Sequence, residues 1–284
     1  MTKIEWVKNQ DGTQGKTWNP VTGCSPISEG CQNCYAKRMA NRLRGQYGYP
    51  ANEPFRVTVH PERLEEPLHW RKPSMIFVCS MGDLFHEDVP FDYIDRVFAV
   101  MALCPWHTFQ ILTKRPRRAV DYMNDYDGYT DKLGPIGEIM QDEFGWMTPE
   151  DAANIAPPGS ELPKWPEWPL SNIWLGVTAE NRPMWYERVP ILKQIEAAKR
   201  FVSYEPALGP LGEVNLTNID WVICGSESGP KRRPAKVEWI RDLKDQCVDA
   251  GVPFFLKQIE INKEIVKMPE LDGQIWNEYP EANS

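Results

Sequence analysis

Three cysteines crowd one short stretch, and they constrain this chain more than anything else in it. Thr17–Tyr35 reads T-W-N-P-V-T-G-C-S-P-I-S-E-G-C-Q-N-C-Y, which places Cys24, Cys31 and Cys34 in a C-x₆-C-x₂-C pattern. Gly23 and Gly30 each precede a cysteine, and Pro26 stiffens the turn between the first two. Three thiolates on one loop repel one another unless a cation sits among them, and zinc or an iron–sulfur cluster is the usual one. A closed zinc site takes four ligands. No second C-x-x-C exists in the chain, so zinc would need a distant cysteine or one of His60, His69, His86 and His107. A four-iron cluster on three cysteines leaves one iron open. Three ordinary core cysteines are the remaining reading, and glycine-flanked clustering fits core packing poorly.

The rest of the composition narrows the class. The chain has 284 residues, 42% of them hydrophobic, enough for one large α/β domain. A net charge of −8 excludes a surface that attracts nucleic acid everywhere, so any such contact is a local patch. Met1–Trp6 is too polar for a signal-peptide core, no long apolar run suggests a membrane span, and seven cysteines is an odd number. These features point to a reducing cytoplasm, where clustered thiols bind metal.

Along the chain, strand and helix patterns alternate. Strands are expected at Ile4–Val7, Phe55–Val59, Ser74–Cys79, Thr108–Thr113, Asn172–Thr178, Arg200–Tyr204, Trp221–Gly225 and Val252–Leu256. Helices are expected at Tyr35–Arg44, Phe91–Leu103, from Pro116 through Met123, at Pro183–Ala198 with a break at Pro190, and at Lys236–Ala250 with Gly251 as its stop. Asn124–Leu170 is rich in Asp, Gly, Pro and Trp and reads as an insertion, either a lid or a surface excursion. Residues 260–284 read as a tail with a turn at Leu271–Gln274. Such strand–helix units predict a parallel sheet. Polar residues follow every strand, as at the mouth of a parallel barrel: Ser80, Gly82, Asp83 and His86; Thr113, Lys114 and Arg115; Thr178, Glu180 and Asn181; Ser203 and Glu205; Ser226 and Glu227; Lys257 and Gln258. Cys79, Cys104 and Cys247 read as core, and Cys224 lies near the mouth.

With T-W-N-P-V-T-G-C and G-C-x-x-C-Y-A, the segments S-M-G-D-L-F at Ser80–Phe85, L-T-K-R-P at Leu112–Pro116, W-L-G-V at Trp174–Val177, the pair Glu205 and Pro206, and W-V-I-C-G-S-E-S-G-P at Trp221–Pro230 carry a resemblance. From about residue 17 to 258 the chain resembles a phage and prophage family of unassigned function with a three-cysteine motif. The loop itself is similar to a variant of the radical S-adenosylmethionine (SAM) superfamily. It departs from the usual C-x₃-C-x₂-C by its six-residue gap, and Asn33 stands where an aromatic usually precedes the third cysteine, with Tyr35 following it instead. The resemblance implies a partial (β/α)₆ barrel with the cluster at its mouth and SAM on the open iron.

It further implies roles, each beside a plainer one. Ser80, Gly82 and Asp83 occupy the place of a segment that receives the SAM amino group, though Asp83 could instead cap the next turn. Glu180 and Asn181 could contact the ribose, or Asn181 could be a helix N-cap before Pro183. Lys114 and Arg115 could hold the SAM carboxylate or a substrate phosphate, or be solvated surface charges. The turn Gly225–Gly229, with Ser226 and Glu227, suits close ligand approach. His86 could be a substrate acid/base or a surface residue beside Glu87 and Asp88. Lys231, Arg232 and Arg233 form a basic patch or a solvated loop. Two functions stay open. One is an enzyme that uses a 4Fe-4S cluster and SAM to make a 5′-deoxyadenosyl radical, with a nucleotide or nucleic-acid substrate, an electron-donor protein and a companion protein as partners and no membrane. The other is a non-catalytic zinc or iron–sulfur module supporting a nucleic-acid or protein partner.

Overall fold

A computed structural model describes residue 2 and residues 4–124, 133–145, 156–160 and 167–281. Its frame is an eight-stranded sheet. In chain order the sheet strands are β1 (Lys16–Trp18), β4 (Met75–Val78), β5 (Thr108–Thr113), β6 (Ile173–Thr178), β7 (Lys199–Tyr204), β8 (Trp221–Gly225), β9 (Phe254–Ile261) and β10 (Glu264–Lys267). That is also their order across the sheet. Every pairing from β1 to β9 is parallel, and β10 turns back antiparallel on β9. Two small two-stranded sheets stand outside it, β2 (Val21–Thr22) with β3 (Thr58–Val59) and the hairpin of β11 (Glu270–Leu271) with β12 (Gln274–Ile275). Among the described residues the edge strands β1 and β10 do not pair, so the sheet does not close. The fold is therefore mixed α/β with a mostly parallel sheet.

The helices are α1 (Tyr35–Arg42), α2 (Phe91–Ala102), α3 (Pro116–Asn124), α4 (Leu133–Asp142), α5 (Arg182–Leu192) and α6 (Val237–Ala250). Apolar residues at helical spacing, such as Ile94, Val97, Phe98 and Met101 on α2 or Ile240, Leu243 and Cys247 on α6, join one large core with the strand residues that face them. Strand side chains alternate between faces. On β8, Val222 and Cys224 enter that core, while Trp221 and Ile223 enter a second cluster with Trp174, Phe201, Phe255, Trp6 and Val7. Trp221 is the hub of this cluster, its ring 5.8 Å from Phe201 and 6.0 Å from both Trp6 and Trp174. Phe77 and Leu112 pack onto the cluster and also line the cavity described below. One face of the sheet thus has an apolar lower layer and a cavity above it. Among the described residues no helix is long and apolar enough to cross a membrane.

Several expected elements moved. Ile4–Val7 is a turn, and the first strand is Lys16–Trp18. Trp6 and Val7 owe their apolarity to the second core cluster, not to a strand. The Phe55–Val59 strand shrinks to Thr58–Val59. Helix α5 passes through Pro190 and ends at Leu192. The last parallel strand continues to Ile261, and the expected tail is folded, with β10 on the sheet edge and Leu271 and Trp276 buried. The expected turn at Leu271–Gln274 links β11 and β12. Within the insertion, α4 packs on α2 through buried Ile136 and Met140, and Trp168 lies 6.0 Å from Phe98. No described residue of Asn124–Leu170 lines the cavity, and Trp165 with its neighbours lies outside the described residues.

Candidate functional site

The cysteine loop leaves β2 and crosses the C-terminal ends of the strands. It can descend that far because Gly23 has φ +84° and pairs with Gly82; a Cβ on Gly23 would lie 2.1 Å from the Arg56 carbonyl oxygen. Cys24, Cys31 and Cys34 then line one cavity of about 250 Å³ with Phe77, Leu112 and residues from the strand ends. Cys34 caps α1 with its backbone, so the third sulfur stands at a helix N-terminus.

Three charged clamps hold the loop. At Cys24 the clamp is Arg115, a nearly fully buried side chain. It donates from Nη1 to Cys24 Sγ at 3.3 Å and to Asp83 Oδ2 at 3.4 Å, from Nε to Glu87 at 2.8 Å, and from Nη2 to Ser25 Oγ at 2.9 Å. Asp83 also accepts from Thr113 Oγ1 at 2.7 Å and from the Lys114 and Phe85 amides. Asp83 therefore serves the clamp and the turn. His86 is buried beside it. The Asp88 N–H donates to His86 Nδ1 and the Ser25 N–H to His86 Nε2, which also lies 2.7 Å from Ser25 Oγ. Burial, then the nearby Arg115 charge, keep the His86 pKa below the ordinary value.

The second clamp grips the middle of the loop. Glu180, fully buried at the end of β6, accepts from the Gly30 N–H at 3.0 Å and from Arg188 at 2.9 Å; Arg188 also donates to the Thr178 carbonyl. Burial raises the Glu180 pKa, but hydrogen bonding from Ser28 and the Arg188 charge outweigh it and hold the carboxyl below its usual range. A Cβ on Gly30 would meet this carboxylate at 2.9 Å, so the residue before Cys31 must be small. Asn181 caps α5 by accepting from the Met184 N–H and reaches Glu29 at 3.3 Å.

The third clamp holds the last turn. Glu227 accepts from Asn33 Nδ2 at 2.9 Å and from Arg233 at 2.6 Å, and Arg233 reaches on to the Glu29 carbonyl. Asn33 also donates to the Lys231 carbonyl at 2.8 Å.

Of the residues expected at a cofactor, Tyr35, Ser80, Gly82, Asp83, Lys114, Glu205 and Glu227 line the cavity; Glu180, Asn181 and Ser226 do not. Glu180 and Asn181 are anchors of the loop instead. Ser226 is fully buried with its hydroxyl unpaired. Glu205 pairs with Lys257 at 2.6 Å, Arg232 pairs with Glu260, and Arg233 pairs with Glu227. Of the expected basic groups at the mouth, Lys257, Arg232, Arg233 and Arg115 are thus spent internally, while Lys231 is exposed. Lys114 differs: among the described residues no carboxylate pairs with its ammonium. Its charge bears on Cys31, whose thiol is raised by burial but brought below the ordinary value by backbone bonding at Ile27, by Lys114 and by Ser28. At Cys24 burial wins, helped by Asp83, and the thiol is pushed up to about 11 despite Arg115. Cys224 is fully buried and belongs to the core with Cys79, Cys104 and Cys247.

Sequence reasoning missed Arg188 and the ties from Arg115 to Cys24 and from Asn33 to Glu227. The pairings span up to 194 positions, and no local pattern announces them. The one available signal was that Arg115 and Asp83 both follow strands, so parallel pairing would bring them to one end.

As placed, no three His, Cys, Asp or Glu side chains among the described residues converge as one metal ion would require. A four-iron cluster does not require such convergence, because each thiolate binds its own iron. The donor set, three thiolates with a guanidinium donor at one and an ammonium near another, suits an anionic cluster. The neighbouring carboxylates Asp83, Glu180, Glu205 and Glu227 all have partners already.

Fold and site together define an α/β protein with a three-cysteine cavity at the C-terminal ends of parallel strands. The chain belongs to the family described as "Protein of unknown function (DUF5131)", whose model matches residues 1–280. No curated protein and no solved structure matches it.

Proposed function

We propose that the cavity holds an iron–sulfur cluster on Cys24, Cys31 and Cys34 and that the protein is a radical SAM-type enzyme. The observation that carries this reading is that three cysteines of one loop line a single cavity whose nearby carboxylates are already paired. The strand order supports it: parallel strands succeeding one another in sequence are what an open, partial barrel requires.

A four-iron cluster held by Cys24, Cys31 and Cys34 would leave one iron open to SAM and, with an electron-donor protein, would supply one-electron reductive cleavage and radical hydrogen abstraction. The chain's own residues do the rest. Arg115 holds the Cys24 sulfur by hydrogen bond. Glu180 fixes the loop just before Cys31, and Glu227 fixes it between Cys31 and Cys34. Phe77 and Leu112 floor the cavity with apolar surface, and Lys114 offers a free ammonium to a carboxylate. Ser80 and Gly82 line the wall beside Cys24, where a ligand amino group would meet backbone and hydroxyl oxygens.

Anaerobic reconstitution tests this directly. Brown protein with about four irons per chain, lost in Cys31→Ala and retained in Cys247→Ala, is the expected result, followed by calorimetric SAM binding. Stoichiometric zinc without iron would leave the non-catalytic metal module as the reading. Iron without SAM affinity would remove the enzyme.

A further inference from the structure

The acidic balance of this protein is unevenly spread. Its 40 acidic residues include none between Glu29 and Glu53, while Lys37, Arg38, Arg42 and Arg44 all fall there. These four lie on or just after α1, the helix that begins immediately after Cys34. Ala36 and Ala40 bury one side of α1. Lys37 and Asn41, at i and i+4, form an exposed stripe beside that side, Tyr35, Arg38 and Arg42, at i, i+3 and i+7, lie opposite it, and Arg44 is exposed in the turn that follows the helix. Arg38 is committed to the Ser228 carbonyl. Lys37, Arg42 and Arg44 are exposed, and among the described residues none has a carboxylate partner. The contrast with Arg115, Arg188, Arg232 and Arg233, each paired with a carboxylate, is sharp. Two aromatic rings accompany the free charges: Tyr35 is 56% exposed on the cavity wall, and Tyr47, in the turn after α1, is 73% exposed. Lys37 also lines the cavity, so the basic face is continuous with its mouth.

We infer that α1 and the turn after it bind a single-stranded nucleic acid and feed it to the cavity. Unpaired cations on a protein of net charge −8 concentrate a polyanion locally. Arginine forks match phosphate oxygens, and exposed tyrosines beside them stack on unpaired bases. An acidic protein would use the charge but not the rings. The inference rests on the proposed function only in that the cavity is where substrate reacts.

The test is fluorescence anisotropy with labelled single-stranded and duplex DNA and RNA, across a salt series, on iron-loaded protein. The triple variant Lys37→Glu, Arg42→Glu, Arg44→Glu is expected to bind single strands about tenfold or more weaker, with the log–log salt slope reduced by about 2. Its melting temperature and iron content should match the wild type, since all three side chains are exposed. Tyr47→Ala should weaken single-strand binding without changing the slope. Four results overturn the inference: salt-independent or absent binding, equal binding by the triple variant, a preference for duplex, or competition by polyglutamate as effective as by oligonucleotide. The cluster reading fails separately. Wild-type protein that takes up no iron but loses oligonucleotide binding in the triple variant keeps the surface and drops the cluster. Iron and SAM binding without oligonucleotide binding does the reverse.

Discussion

The same face of the sheet is filled in two different ways. Its lower layer, nearer the N-terminal strand ends, is closed by rings: Trp6, Trp174, Phe201, Trp221 and Phe255 pack together with no charge among them. Its upper layer is closed by charges, with Asp83–Arg115, Glu180–Arg188, Glu205–Lys257 and Glu227–Arg233 tying strand ends to loops. Rings fill space through non-directional burial and leave no room. Ion pairs are directional: they fix the cysteine loop at Cys24, Gly30 and Asn33 while a cavity survives between them. The lower layer supplies stability and the upper layer supplies position. Replacing a buried pair by apolar residues is often neutral or stabilising, so the clamps are better explained by what they hold than by what they add to folding.

The sharpest separation of the layers comes from Trp221→Ala. Trp221 is fully buried and touches rings on several sides, so the loss should approach the upper end of the large-to-small range, about 5 kcal/mol by denaturant unfolding. Iron uptake by the fraction still folded should be unchanged. A folded Trp221→Ala protein that takes up no iron would show that the layers are not separable.

Next in size is Arg188→Ala, which leaves the fully buried Glu180 carboxylate without its cation and should cost about 4 kcal/mol near pH 7. The folded-state pKa of Glu180 lies below its ordinary 4.5, so the pair contributes stability above that value and loses it as pH falls through the lower, folded one. The penalty should therefore shrink toward acid pH, where the orphaned carboxyl takes a proton. The double variant Glu180→Gln, Arg188→Met should recover most of the stability but not the loop's order, read as faster amide exchange at Gly30. Recovery of both would make the pair a stabiliser and not a positioner.

These contrasts also explain what the sequence revealed. The strands were legible: β5 and β8 have the expected limits because Thr108–Thr113 carries Phe109, Ile111 and Leu112 and Trp221–Gly225 is a near-continuous apolar run. The three cysteines were legible because they lie on one loop. The clamps were not, because Arg115 reaches Cys24 across 91 positions and Glu180 reaches Gly30 across 150. The sequence placed Asp83 and Glu180 just after strands, as they are, and Lys257 too, which instead lies within the longer β9; only packing decided whether each faced a ligand or another side chain. The Arg232–Arg233 pair is the clearest example. It reads as a basic patch, yet both charges are used internally, while Lys37 and Arg42 on α1 and Arg44 after it have no carboxylate partner among the described residues.

pH offers a third cut of similar kind. His107 lies just before β5, among Trp70, Trp106 and Phe109 of the large core and not in the Trp221 cluster. Burial lowers its pKa from 6.5 to about 4, against the opposing pull of the Pro67 carbonyl. A histidine depressed in the folded state contributes fully above its unfolded pKa and loses that contribution as pH falls from 6.5 toward 4, by about 3 kcal/mol in all. His86 in the upper layer is lowered too. His107→Asn should flatten most of the stability slope in this window and His86→Asn the smaller remainder, in urea titrations run from pH 7 to 4. If His86→Asn flattens it more, the acid-sensitive region is the charged upper layer and not the large core.

The smallest effect is predicted for the pair nearest the solvent, and it bounds the comparison from the other side. Glu205 and Lys257 meet at 2.6 Å, with side-chain exposures of 17% and 18%. Water still screens both charges, so a double-mutant cycle over Glu205→Gln and Lys257→Met should give a coupling of about 1 kcal/mol or less, falling with added salt. Glu180–Arg188, at 2.9 Å and almost without exposure, should couple several times more strongly although its distance is longer. Burial, not distance, would then rank the upper layer's pairs. A coupling above about 3 kcal/mol at Glu205–Lys257, insensitive to salt, would mean that the cavity wall is as dry as the interior. The upper layer would then be a continuation of the core, and the division between a layer that stabilises and a layer that positions would not hold.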